Sequence, residues 1–326
     1  MTSRERVSRR RLVGAGAAAL ACMPGVAHAL TGTRIAPPAP PELPESVEHI
    51  QGGVDRQNRM TVETFINGKG PYRFIVDTGA DTSVLCEDVA AALGLPATED
   101  VIVQGIARAL PAPAVRIDEL RVGRVSSGGL AMPLLPRGLL GADGFLGLDM
   151  IDQQAVTFDF QNHRLTVAPS THSEHAVYFF DEALVRVNGS RGRLTAVNTA
   201  VDGVRASAFI DSGAEISIGN SHLFDELARN GSRYVGSDVI HVLGVTGGTV
   251  QGRIVAVERI KLGPISFRNS VLVISDLPVF DMWGLGNRPA LFIGMNFLRQ
   301  TSAVTIDYGR KEFRFKLAQV RVASRG

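Results

Sequence analysis

The sequence predicts an all-β protein built as two pseudo-symmetric lobes. Three observations carry that prediction. Many of the 35 glycines separate short runs rich in Val, Ile, Thr and Phe, which is the spacing of strands and hairpins rather than of helices. The triplet Asp77-Thr78-Gly79 returns, slightly altered, as Asp211-Ser212-Gly213, each time after an apolar run, Tyr72 to Val76 and Ala206 to Ile210. Each copy is followed downstream by two apolar residues and a glycine, Phe145-Leu146-Gly147 and Phe292-Ile293-Gly294.

The chain opens on a segment that reads as an address rather than a fold. Ser8-Arg9-Arg10-Arg11-Leu12-Val13 is a twin-arginine start, an Ala/Gly-rich stretch follows to Ala27, and Ala27-His28-Ala29 offers a small-x-small cleavage site. Residues 1–29 are therefore expected to be a bacterial twin-arginine signal peptide, which places the mature chain in the periplasm or outside the cell. The stretch is too short and too rich in glycine for a membrane span. Its removal takes five arginines and one glutamate, so 34 basic and 32 acidic residues become 29 and 31. The positive charge belongs to the signal and says nothing of an acidic partner. An aromatic fraction of 6% argues against a base-stacking nucleic-acid surface. Beyond residue 29 only Cys86 remains, so an intrachain disulfide is excluded there and the thiol is expected as a small buried apolar group.

Residues 30–58 contain Ala-Pro-Pro-Ala-Pro-Pro-Glu-Leu-Pro and are expected to be an extended Pro-rich linker. From Arg59 the halves can be laid side by side. Met60 to Ile66, a turn at Asn67-Gly68, and Tyr72 to Val76 make a hairpin ending at Asp77. Leu194 to Ala200, a turn at Asp202-Gly203, and Val204 to Ile210 repeat it up to Asp211. Leu120 to Ser126 then matches Ile260 to Ser266. A closing strand pair ends each half, Ala155 to Phe160 with Arg164 to Val167, and Ala303 to Tyr308 with Glu312 to Phe315. The expected division is a first lobe over 59–168, a linker over 169–176, a second lobe over 177–318 and a tail over 319–326. The copies lie 134 residues apart at the aspartates and 147 apart at the later glycines, so the second half carries insertions, expected between Ser275 and Ala290.

The doubled pattern resembles the aspartic proteases, closer to the retroviral-type branch than to pepsin. Asp77-Thr78-Gly79-Ala80-Asp81 and Asp211-Ser212-Gly213-Ala214-Glu215 fit the signature, and Phe292-Ile293-Gly294-Met295-Asn296-Phe297-Leu298 fits its downstream companion. In the first half Asp149 replaces the asparagine of that companion. The resemblance implies two acid-protease lobes of the closed β-barrel type with an active-site cleft between them. It implies an aspartic endopeptidase in which Asp77 and Asp211 share one proton and activate water, Thr78 and Ser212 cross-brace the two loops, and Gly79 and Gly213 let the backbones approach.

Flaps that exclude bulk water are expected at Gly105 and Ile106 in the first lobe and at Val245, Thr246, Gly247 and Gly248 in the second. Neither tip carries a tyrosine. Phe145 and Phe292 are candidates for substrate pockets, with core packing as the alternative, and Trp283 is expected as a packed anchor. Seven scattered histidines give no zinc spacing, and Gly244 to Gly248 lacks the Lys-Ser/Thr of a phosphate loop, so no metal or cofactor is assigned. The expected partner is a polypeptide substrate, with no nucleic acid and no membrane span in the mature chain, and the expected state is a monomer with internal pseudo-two-fold symmetry. The rival reading is a catalytically silent protein- or peptide-binding module on the same fold.

Overall fold

The computed structural model describes residues 21–24, 47–170, 182–190, 193–231 and 239–317. The architecture is all-β with two lobes, as expected. In the first lobe the strands Met60–Ile66 and Lys69–Val76 form the opening hairpin. Asn67 and Gly68 both take positive φ, 48° and 74°, which is the turn that suits a two-residue hairpin. Asp202 and Gly203 do the same in the second lobe at 45° and 86°. The turn side chains also work alike. Asn67 Oδ1 accepts from the backbone N–H groups of Asp118 and Glu119, and the Asp202 carboxylate from those of Glu258 and Arg259. Each opening hairpin is thereby tied to the long strand behind it.

Those long strands form the second hairpins. Ala97–Gln104 pairs with Ala109–Val122 in the first lobe, and Val239–Leu243 with Thr249–Leu262 in the second. Val125–Leu135 and Ile265–Ile274 pair with their other ends. A short helix, Glu87–Leu93 or Ser221–Arg229, links the region after each aspartate triplet to its hairpin. The second helix starts on Asn220, whose side chain accepts from Leu223 N–H and satisfies an otherwise free helical donor. Cys86 is a fully buried free thiol, as expected.

Each half ends in its expected closing strand pair, and the two pairs also join each other. Gln154–Asp159 and Thr301–Asp307 pair with each other in antiparallel register. Six strands then run across the base of both lobes: Glu48–Val54, Arg164–Pro169, Gln154–Asp159, Thr301–Asp307, Glu312–Leu317 and Glu182–Ser190. At the centre Thr157 faces Thr305, and their hydroxyls hydrogen-bond at 2.7 Å. Pairing the two inner strands satisfies backbone groups that would otherwise be left at two open edges.

Glu48–Val54 is a strand inside the segment 30–58 expected as a linker, so the end of that segment is sheet instead. Its proline run, like residues 171–181 and the tail from 318, lies outside the described residues. Ala21–Pro24, within the expected signal, forms a short strand against Val101–Gln104. The insertions are also divided differently from expectation. The offset between the halves is 134 at the aspartates, already 140 at Gly123 and Gly263, and 147 at Gly147 and Gly294. Nearly half of the added length therefore precedes the second long hairpin. The rest lies in the loop holding the helix Pro278–Met282 and Trp283.

Candidate active site

The strands Lys69–Val76 and Val204–Ile210 end on the two aspartates. Each runs parallel to the strand of the downstream motif, Gly144–Leu146 or Ala290–Ile293. The pairing continues one step past the strand ends, where Asp77 N–H donates to Leu146 O at 2.9 Å and Asp211 N–H to Ile293 O at 3.0 Å. The backbone then turns and is held by the short helix that follows each motif. Leu148 N–H donates to Ala80 O and Met295 N–H to Ala214 O. The tandem motifs are thus two parts of one clamp, built twice.

Asp77 Oδ1 accepts from Gly79 N–H at 2.9 Å. Asp211 Oδ1 accepts from Gly213 N–H at 2.9 Å and from Ala214 N–H at 3.1 Å. Between the lobes, Thr78 N–H donates to Ser212 Oγ and Ser212 N–H to Thr78 Oγ1, both at 3.1 Å. Each hydroxyl passes its own proton to the strand of the other lobe, Thr78 to Ile210 O and Ser212 to Val76 O. The glycines meet the opposite carboxyl groups. A Cβ on Gly213 would lie 2.5 Å from both Asp77 oxygens, and one on Gly79 would lie 3.0 Å from Asp211 Oδ1. A side chain at Gly213 is excluded, and one at Gly79 would require the Asp211 carboxyl to shift.

Both aspartates are fully buried. Burial raises the Asp77 carboxyl well above its ordinary range, and the charge of Asp211 raises it further; Gly79 N–H and the Arg59 guanidinium pull the other way. Asp77 Oδ2 has no N–H or O–H donor from the surrounding groups. Two ionised carboxylates are both acceptors, so a hydrogen bond between the pair requires a proton on one of them.

The two segments expected as flaps are the tips of the two long hairpins. These tips, 105–108 and 244–248, touch each other. Arg108 Nε donates to Thr246 O at 2.9 Å, and Thr246 Oγ1 donates to Arg108 O at 3.0 Å. Gly105 lies against the Thr246 side chain, Gly248 against Ala107 and Gly247 beside Leu139. Of the apolar tip residues, Ile106 is buried with Phe209, Phe280 and Phe292 of the second lobe, and Val245 is buried in the larger cluster, which draws on both lobes. Thr246 has no exposed surface.

The two phenylalanines named as pocket candidates are corrected to core residues. Phe145 and Phe292 are fully buried. Phe145 is capped by Arg59, whose guanidinium carbon sits 5.4 Å from the ring centroid. Phe292 stacks among Phe209, Phe280 and Trp283, with centroids 4.7–5.9 Å away. Trp283 is the expected anchor, 4.4 Å from Phe209, and one side of it lines a crevice shared with Thr78 and Gly79.

Three groups near the site escaped the sequence reading. Arg59 and Asp55 form a buried forked ion pair, with Nε and Nη2 both 2.7 Å from Asp55 Oδ2. Tyr308, from the shared sheet, has a buried hydroxyl without a hydrogen-bond partner among the described residues; burial raises its pKa, and the charges of Asp152 and Asp77 add to the shift. Asp149, already noted as a departure, accepts from Ser83 Oγ at 2.6 Å and Ser83 N–H at 2.9 Å, while Gly147 N–H donates to Ser83 Oγ. Asn296 plays this part in the second lobe, where its Oδ1 takes both Ser217 donors and Gly294 N–H donates to Ser217 Oγ. Desolvation lifts the Asp149 carboxyl from 3.8 to about 6, against the Ser83 hydrogen bonds that lower it.

No curated protein matches the chain. A family model described as aspartyl protease matches it twice, over residues 62–150 and 197–297, which together take in more than half of the sequence and both aspartate loops. The chain belongs to the aspartyl protease family.

Proposed function

We propose that the protein is a single-chain, retroviral-type aspartic endopeptidase whose water-activating pair is Asp77 and Asp211. The observation that carries this reading is the reciprocal brace of Thr78 and Ser212, which holds the two carboxyl groups over each other's glycines at one buried point. One carboxylate and one carboxylic acid, sharing a proton, can act in both directions. The ionised oxygen takes a proton from a water as that water attacks the peptide carbonyl carbon. The acid partner donates to the carbonyl oxygen as its charge develops. Collapse of the tetrahedral adduct breaks the C–N bond, and a proton passes to the leaving nitrogen. The roles belong to the pair. The donor count is nevertheless unequal, two N–H groups on Asp211 Oδ1 and one on Asp77 Oδ1, and this favours the proton on Asp77.

Opening of the joined hairpin tips precedes this chemistry, because both aspartates are fully buried while the tips hold each other. The substrate is a polypeptide, and the twin-arginine start supports action in the periplasm after export. Ala80 and Ala214 follow the two triplets, so neither loop offers a side-chain hydroxyl there to stabilise the ionised form. A bell-shaped kcat/KM profile centred in weak acid follows.

The test is digestion of an unfolded protein by the chain from residue 30 onward and by its Asp77→Asn and Asp211→Asn variants. Each variant should lose cleavage by at least about a thousandfold, within the range that acid–base and nucleophile assembly supplies, and keep its thermal melt. Full activity in either variant would refute the shared pair. Binding of peptides without cleavage by the parent chain at any pH from acid to neutral would replace the enzyme by the binding module.

A further inference from the structure

We propose that Arg59 is a positioning residue of the active site, and that with Asp55 it sets the charge balance felt by Asp77; the idea rests on the water-activating role given above to the aspartate pair. The geometry is a short relay. Asp55 Oδ1 accepts from the backbone N–H groups of Gln57 and Arg59, so the turn that carries the cation is fixed by its counter-ion. The guanidinium then reaches Leu140 O at 3.1 Å and lies over the Phe145 ring. Phe145 is followed by Leu146, whose carbonyl receives Asp77 N–H. Arg59 therefore grips the segment that seats Asp77 at two points, and does so from inside the protein, with side-chain exposures of 9% for Arg59 and 3% for Asp55.

A buried cation is costly unless paired, and a buried pair contributes little net stability compared with apolar packing. Its field, however, is weakly screened. The groups whose charge reaches Asp77 are Asp211 from the second lobe's loop and Arg59 from the turn before the first strand; Tyr308 of the shared sheet feels Asp77 in return and stays neutral. The strands on either side of Lys69–Val76 add little. Gly144–Leu146 has no ionisable side chain and Met60–Ile66 has only the exposed Glu63. Arg59 acts on Asp77 directly, and Asp55, its buried counter-ion, carries the opposite charge and offsets it.

Two variants separate this from a structural role. Arg59→Met removes the cation and should raise the proton affinity of Asp77. Asp55→Asn keeps an acceptor for the two N–H groups, leaves Arg59 uncompensated and should lower it. The readout is the pH dependence of the stability difference between each chain and its Asp77→Asn form, measured by urea unfolding, which needs no turnover. The midpoint should move by about half a pH unit or more, less than the 1–3 units of a direct pair, upward for Arg59→Met and downward for Asp55→Asn. Arg59→Lys should leave it in place. The kcat/KM limbs should follow the same signs. Midpoints that stay put in folded variants, or move in the same direction for both, would overturn the proposal. Should Arg59→Met fail to fold, the downward shift in Asp55→Asn decides it. Unequal shifts in unfolding without any cleavage would uphold Arg59 and sink the endopeptidase.

Discussion

Thr78 and Ser212 each donate a backbone N–H to the other's hydroxyl at the same distance, 3.1 Å, although one is a threonine and the other a serine. The brace depends on the oxygen alone. Thr78→Ser should therefore keep activity within a few-fold. Ser212→Ala removes an acceptor from Thr78 N–H and a donor from Val76 O, leaving two buried groups unsatisfied at about 1–3 kcal/mol each. Urea unfolding should show a loss in that range, and kcat should fall more steeply than KM rises. Wild-type stability in Ser212→Ala would mean that the brace is idle.

The glycines are predicted to be unequal. A methyl group on Gly213 would overlap the Asp77 carboxyl, while one on Gly79 would lie 2.9 Å from Asp211 Cγ and could be eased by a small shift. Gly213→Ala should abolish cleavage, and Gly79→Ala should leave measurable residual activity. Initial rates on one peptide substrate compare them, and equal losses would contradict the difference in clearance.

The flap tips hold each other with a bond in each direction, so loosening one should be visible in both. Thr246→Val keeps the side-chain shape and deletes the hydroxyl that donates to Arg108 O. Amide hydrogen exchange should speed up at 105–108 as well as at 244–248, by about fivefold or more for the loss of roughly 1 kcal/mol. Acceleration confined to the mutated tip would show that the tips open independently.

Asp149 supplies a stability prediction with a defined pH window. Its carboxyl holds a proton to about pH 6 in the folded chain, against 3.8 ordinarily. Between those values the unfolded chain has released the proton and the folded chain has not, so this residue lowers stability as pH rises through the window. Asp149→Asn can adopt the arrangement of Asn296, one oxygen accepting both serine donors. The variant's advantage over the parent should grow from about pH 4 to about pH 6 and then level off. A stability difference flat across that range would show that the folded chain holds no such proton.

How much of this was legible beforehand differs by residue. The triplets could be read because their chemistry is local: only an aspartate, a hydroxyl and a glycine in sequence build such a loop, and a second copy shows where its partner lies. The hairpin tips at 105–108 and 244–248 were legible from glycine and position, but not their contact with each other. Phe145 and Phe292 were not, because the motif places them on a strand without saying what covers them. The covers are Arg59 for one and the Phe280–Trp283 segment for the other. Asp55 and Arg59 look like surface charges until Leu140, 81 residues on, comes to meet them. The closing hairpins were readable as strands, but alternation does not tell which edge a strand will join.

That shared sheet has a consequence for biogenesis. Thr157 must find Thr305, 148 residues later, and Glu48–Val54 belongs to the same sheet. Contacts so distant in sequence are slow to form, since the intervening loop must be closed before they reward the chain. A polypeptide still on the ribosome has the strand Gln154–Asp159 made and no partner for its inner edge until the last portion has emerged. It also has Asp77 long before Asp211. A chain that has reached Gln154–Asp159 but not Thr301–Asp307 therefore carries an open strand edge, prone to wrong pairing, which closes only when the later strand arrives.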